Sequence, residues 1–175
     1  WRAEQGGRPY ELGKRIGAFL ALLDEKLEAG DLPAFLQNEC GLTPEVARNL
    51  QNYLAAQKRA VGCLPTDRRL VVEEFPDEAG EWRVLLHSPL GHRVHLPLAL
   101  LIGMAWEESL GMKLSFISGD DGIMFSLPGE VAPPAVLWPD PAAGEIEERL
   151  GKAVAGTQLL GAIFRQTAQR SLVMP

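Results

Sequence analysis

No stretch of this sequence holds the roughly 18 consecutive apolar residues that a membrane-spanning helix needs, so no membrane partner is expected. Cysteine occurs only twice, at Cys40 and Cys63, far apart and without C-x-x-C spacing. A disulfide framework is thereby disfavoured; reduced thiols serving as small core residues are the better reading, and a disulfide the lesser one. Basic charge is also short: 17 Lys and Arg stand against 23 Asp and Glu, a formal net charge of −6. That balance argues against a self-sufficient nucleic-acid binder, although not against a local basic track. The opening "WRAEQGGRPY" has no initiator Met and no signal-peptide layout, so a segment of a longer cytoplasmic polypeptide is expected.

Enzyme signatures are missing too. There is no G-x-x-x-x-G-K-S/T loop, no G-x-S-x-G elbow and no G-x-G-x-x-G, and "GKAVAGT" has the letters of the first in the wrong order. No catalytic residue is therefore assigned. Asp120 and Asp121 form an adjacent carboxylate pair, but in "GDDG" the backbone preference of Asp for tight turns explains them.

What is present suits one domain of 175 residues, 46% of them apolar and enough for a real core. Between Tyr10 and Ala29, Leu12, Ile16, Phe19, Leu20, Leu23 and Leu27 recur at helical spacing up to Gly30. Gly13 and Gly17, four apart, would let another backbone approach that helix. Asp31 is placed to cap a short helix through Phe35 and Leu36. In "LTPEVARNLQNYLAAQKRAV", Thr43 is a good N-cap, Pro44 fits the first turn, Glu45 suits the positive end, and Lys58 and Arg59 the negative end. The period then shortens. "RRLVVEEF" and "EWRVLLHS" read as strands joined through "PDEAG", and "KLSFIS" and "GIMFSL" as a second hairpin around "GDD". Between them "RVHLPLALLIGMAWEESLG" returns to helical spacing, with Pro97 expected in the tolerant first turn. A Pro-rich connection follows, then a helical tail, broken near Gly151 and Gly156.

The order predicts an α+β fold: N-terminal helices over residues 1–62, a ββαββ sheet core over 63–129 with a covering helix, and a connection with C-terminal helices over 130–175.

All three histidines, His87, His92 and His95, fall within "HSPLGHRVH". A zinc site is the bold reading, but Gly91 separates His87 from the others and no H-E-x-x-H pattern occurs, so no metal is assigned. Two readings of the stretch stand level. In one, the helix beginning near His92 offers free N–H groups and its positive end to a phosphate, aided by His92 and Arg93. In the other, Ser88 merely caps a turn and Arg93 pairs with a surface carboxylate. Further basic spots are "PTDRR", with Arg68, and "FRQTAQR", where Arg165 and Arg170 would lie on neighbouring turns; a solvated helix face is the common explanation for the latter. Trp1 followed by Arg2 pairs an aromatic with a cation, as stacking on an unpaired base requires; packing on a neighbouring domain is the alternative. Trp82, Trp106 and Trp138 read as structural.

The segments "WRAEQGGRPYELGKRIGAFL", "LPTDRRLVVEEFPDEAGEWRVLLHSPLGHRVHLPLAL", "SGDDGIMFSLPG" and "LLGAIFRQTAQRSLVMP" together resemble the large helicase-related (Lhr) proteins, in their DEAD/H-associated domain beyond the winged helix. The resemblance implies a cytoplasmic ATP-driven 3′–5′ translocase that unwinds DNA in repair. ATP and Mg would belong to upstream RecA-like motor domains, with no cofactor in this segment. Its partners would be those motor and winged-helix domains and single-stranded DNA or a DNA/RNA hybrid. Trp1, Arg2, Arg68, His92, Arg93, Arg165 and Arg170 would then be the nucleic-acid contacts. A structural or protein-interaction module without such contact is the alternative.

Overall fold

Helix α1 (Tyr10–Ala29) starts after Pro9 and ends at Gly30, whose φ of 77° is left-handed. The N–H groups of Gly30 and Asp31 turn back onto the carbonyls of Leu27 and Lys26 and satisfy the frayed end. These coordinates are a computed structural model that describes residues 7–129, 131–134, 143–155 and 158–171. Helix α2 (Leu32–Asn38) follows at once. Asp31 holds its N-cap position but makes no capping bond, because its carboxylate is taken by Lys26 Nζ at 2.9 Å. Helix α3 (Pro44–Val61) is capped as expected, Thr43 Oγ1 accepting from the Val46 N–H at 3.5 Å. The three helices enclose one aliphatic core of Leu23, Leu32, Leu36, Ala47, Leu54 and Leu64.

Neither cysteine joins a core. Both thiols are free, Cys40 exposed and Cys63 half-buried. They sit in the turns that close α2 and α3, where helix ends meet solvent, and this corrects the expectation of core cysteines.

Four strands form one antiparallel sheet: β1 (Val71–Pro76), β2 (Trp82–His87), β3 (Ser115–Ser118) and β4 (Gly122–Leu127), in the order β1-β2-β4-β3. The two hairpins are thus joined by a β2–β4 ladder, with Val84 opposite Phe125 and Leu86 opposite Ile123. Alternation puts Val84, Leu86, Ile123, Phe125 and Leu127 on one face. Helix α4 (His92–Leu110) covers that face with Ala99, Ile102 and Trp106. The Trp106 and Phe125 rings lie 4.8 Å apart between centroids, tilted by 44°. Since α4 begins at His92, Pro97 falls inside the helix rather than in its first turn. The missing N–H costs one ladder bond, and the packing of the following turns on the sheet carries the helix past it.

After a 3-10 turn at Ala143–Glu145 come α5 (Ile146–Ala155) and α6 (Gln158–Arg170). Helix α5 runs through Gly151 without a break, because an isolated glycine only weakens a helix. It packs on α4, where Arg149 meets Glu108 at 3.1 Å, and α6 packs on α5. Among the described residues no helix is long and apolar enough to cross a membrane.

The element pairs in broad contact all lie within the α1–α3 group or within the group formed by the sheet, α4, the 3-10 turn, α5 and α6. The two groups meet through loops and two glycines. A Cβ at Gly13 would stand 2.5 Å from the Pro89 carbonyl oxygen, and one at Gly17 2.3 Å from the Asp67 nitrogen. Only glycine allows that approach, as the four-residue spacing suggests.

Candidate nucleic-acid interface

Three segments distant in sequence converge at the start of α4. Ser88 Oγ accepts from the Leu90 N–H at 3.3 Å, and the Ser88 N–H reaches the Asp121 carbonyl at 3.0 Å. This turn ends at Gly91, whose φ of 96° and bare α-carbon let the Arg8 carbonyl oxygen lie where a Cβ would be only 2.6 Å away. Asp120, from the β3–β4 turn, then closes the site. Its Oδ1 accepts from the backbone N–H of Arg8 at 2.7 Å and from that of His92 at 2.9 Å. Those two bonds, Arg8's first, hold the carboxyl below its ordinary pKa. The His92 N–H is therefore not free: a carboxylate of the chain itself sits where one of the two readings placed an external anion.

Arg8 completes the arrangement. Its Nη1 donates to the carbonyls of Pro89 and Asp120, both at 3.1 Å, and its Nη2 lies 2.9 Å from Asp121 Oδ1. A cavity of about 600 Å³ opens beside it, lined by Gly7, Arg8, Leu12, His92, Gly119 and Asp120 among others.

The three histidines have separate partners. His87 ends β2 and bonds Glu73 on the neighbouring strand. His92 Nδ1 lies 3.2 Å from Ser118 Oγ. His95 is fully buried, and its Nδ1–H donates to the Gly119 carbonyl at 2.6 Å, which leaves Nε2 buried with no partner among the described residues. Burial pushes the His95 pKa down and outweighs the opposing Gly119 bond. Among the described residues no three His, Cys, Asp or Glu side chains gather as a metal cage.

The expected contact residues fall in three places. Trp1 and Arg2 lie outside the described residues. His92, half-buried, and Arg93, exposed, open α4. Arg68 is 92% exposed, 3.8 Å from Asp67, beside a second cavity that also holds Lys58, Arg69 and Asp24. There Lys58 Nζ pairs with Asp24 at 2.5 Å and Glu28 at 2.6 Å, and the Asp24 bond leads in raising its pKa. Arg165 and Arg170 are exposed on α6, beside Phe164, itself 65% exposed. Gln158–Ser171 contains no Asp or Glu, so this stretch is locally basic in an acidic chain. Sequence reasoning missed Arg8 and Asp120 as a unit, since 112 positions separate them.

The family model described as DEAD/H associated matches residues 64–175, which run from the approach to the sheet through the terminal helices. The chain belongs to the DEAD/H associated family. Within and beyond that family segment, the whole of this chain aligns with longer proteins. It is 41% identical over 182 residues to the Lhr helicase/probable uracil glycosylase of Mycolicibacterium smegmatis, covering 100% of this chain and 12% of that protein. To the Lhr helicase/uracil glycosylase of Escherichia coli it is 37% identical, covering 100% and 11%. The ATP-dependent helicase Lhr-Core of Methanothermobacter thermautotrophicus is 22% identical, covering 99% and 20%. A solved structure of Mycobacterium smegmatis helicase Lhr bound to ssDNA and AMP-PNP superposes with a TM-score of 0.81 at 38% identity, over 98% of this chain and 22% of that one. The chain thus spans about an eighth of the length of the bacterial relatives it matches. The helical part ahead of residue 64 belongs to the same superposable unit.

Proposed function

We propose that this DEAD/H-associated chain is the accessory, non-catalytic part of an Lhr-type ATP-dependent helicase, forming one wall of the channel for single-stranded DNA. The observation that carries the reading is the superposition over 98% of the chain on a helicase bound to ssDNA and AMP-PNP. The absence of any phosphate-binding loop from the sequence agrees, since ATP and its Mg would be substrate for RecA-like motor domains elsewhere in the polypeptide. The residues described here offer no cradle for a nucleotide triphosphate at α4, whose first N–H is held by Asp120. Cytoplasmic location, 3′–5′ movement, a role in DNA repair and acceptance of a DNA/RNA hybrid belong to the same proposal.

A wall needs few donors, because the motor would supply most phosphate contacts. The contacts proposed here are Trp1 and Arg2 by stacking and charge, His92 and Arg93 at the start of α4, Arg68, and Arg165 with Arg170 on α6. Their side chains, rather than the end of α4, would meet the strand.

Two observations favour the second reading, a module that only seats neighbouring domains. The N-terminus of α4 is filled by Asp120, and Leu12, Phe19 and Leu22 remain exposed on α1. Unwinding by the full-length protein decides between them. Trp1→Ala and the pair Arg165→Ala with Arg170→Ala should each slow unwinding and lower the salt dependence or strength of single-strand binding. Wild-type unwinding and binding in all of them would leave only the seating role.

A further inference from the structure

Helix α6 buries little. Of its side chains that the structure describes, Ala168 alone is covered, while Leu160 and Phe164 stand in solvent. Phe164 is the most exposed of the six phenylalanines. Four residues apart, Leu160 and Phe164 share one face of the helix. At about 100° per residue, Arg165 falls to one side of this stripe and Arg170 to the other. Neither arginine has a carboxylate partner among the described residues, whereas Arg8, Arg83 and Arg149 are each paired with one. No Asp or Glu occurs in residues 158–171 to offset them.

That pattern discriminates between occupants. On α1 the exposed Leu12, Phe19 and Leu22 are spaced by seven and three, as a helix-packing seam needs. On α6 the stripe stops after two residues, because Thr167 and Ser171, which would extend it, are polar. A partner helix would find little apolar surface there and two unpaired cations at its border. Single-stranded nucleic acid offers the matching mixture: a flat aromatic face on each base and a negative charge on each link.

We infer that Phe164 is a stacking platform for one unpaired base, with Arg165 and Arg170 meeting the phosphates on either side of it. This inference rests on the proposed function and divides the labour of its α6 contacts. The arginines supply the salt-sensitive part of the grip, by displacing counterions from the strand. The ring supplies a part that salt barely touches and that tolerates any sequence, because every base has a π-face. Leu160, one turn earlier, adds apolar surface on the same side. The helix holds ring and cations at fixed spacing, so no loop has to be ordered when the base arrives.

Equilibrium binding of an oligo(dT) single strand to the full-length protein, measured over a range of salt concentrations, tests the assignment. Phe164→Ala should weaken binding about tenfold at every salt concentration and leave the slope of log K against log salt unchanged. Arg165→Ala with Arg170→Ala should instead flatten that slope by about 1.4, the share of two phosphate contacts on a single strand. Phe164→Leu keeps apolar bulk without a ring and should bind as weakly as Phe164→Ala. Phe164→Trp should bind as tightly as wild type, and its added indole emission should be quenched by the strand. Should Phe164→Ala unfold the protein, the Leu and Trp variants carry the decision, since both keep an apolar side chain. Wild-type affinity in Phe164→Leu, or Phe164→Trp emission indifferent to the strand, overturns the stacking role while the helicase reading stands. An unchanged salt slope in the arginine pair overturns the flanking phosphate contacts in the same way. A wild-type protein that binds no oligo(dT) instead overturns the nucleic-acid reading beneath, so the two failures are told apart.

Discussion

The α1–α3 group and the sheet with α4 solve the same burial problem with different materials. The helical group packs five leucines and Ala47, all without a polar atom, and places its charges in a peripheral network of Asp24, Glu28, Lys58 and Arg69. The sheet unit packs Trp106, Phe116 and Phe125 and keeps two polar nitrogens, His95 Nε2 and Trp106 Nε1, buried with no partner among the described residues. An aliphatic core is indifferent to proton concentration, whereas a core enclosing an imidazole is not. The contrast puts the buried imidazole in the sheet unit, while the helical group's protonatable carboxylates, Asp24 and Glu28, sit in ion pairs around its core.

The comparison can be broken most forcefully from inside. Phe125→Ala should cost about 3–5 kcal/mol, against about 2–5 kcal/mol for Leu36→Ala in the helical core. If the cores are as separate as their contacts suggest, Phe125→Ala should split denaturant unfolding into two transitions, with part of the helical signal surviving into the second. One cooperative transition would show that the loops couple them fully. The joint itself comes next. Gly17→Ala forces a Cβ to within 2.3 Å of the Asp67 backbone and should destabilise by about 1–3 kcal/mol. Gly103→Ala, whose Cβ would find Phe116 at an easy 4.0 Å, should be neutral or stabilise by up to about 1 kcal/mol. Equal costs at both glycines would mean that the close approach at α1 is not a true constraint.

The smallest effect is the most specific. His95 has a depressed pKa in the folded state, so its contribution is intact above the unfolded value of about 6.5. As pH falls below that, the unfolded chain takes up a proton that the folded chain refuses, and stability drains away until the folded pKa is reached. Unfolding free energy of the sheet unit, measured from pH 7 to pH 5, should fall, and the slope should flatten in His95→Leu. Asp120 has a lowered carboxyl pKa and acts in a separate window, its bonds lost only at pH values below the ordinary carboxylate range.

The α+β architecture was readable because its signals are local. Thr43, Pro44 and Gly62 delimit α3, Gly30 closes α1, and a two-residue alternation marks both hairpins. The β2–β4 ladder was not readable, since nothing in either strand names its partner across 34 intervening residues of turn, helix and strand (88–121). Asp120 and Asp121 were read correctly as turn residues, yet their side chains serve Arg8, and a bond between positions 112 apart leaves no trace in local composition. Of the two level readings of the start of α4, neither foresaw Asp120: motif logic sees the helix start but not the carboxylate folded onto it.

That carboxylate makes the end of α4 a quenched electrode. Free phosphate, nucleotide or a polynucleotide backbone arriving there must evict an anion already bonded to two amides. Whatever anion comes to this end of α4 meets a carboxylate before it meets an open N–H.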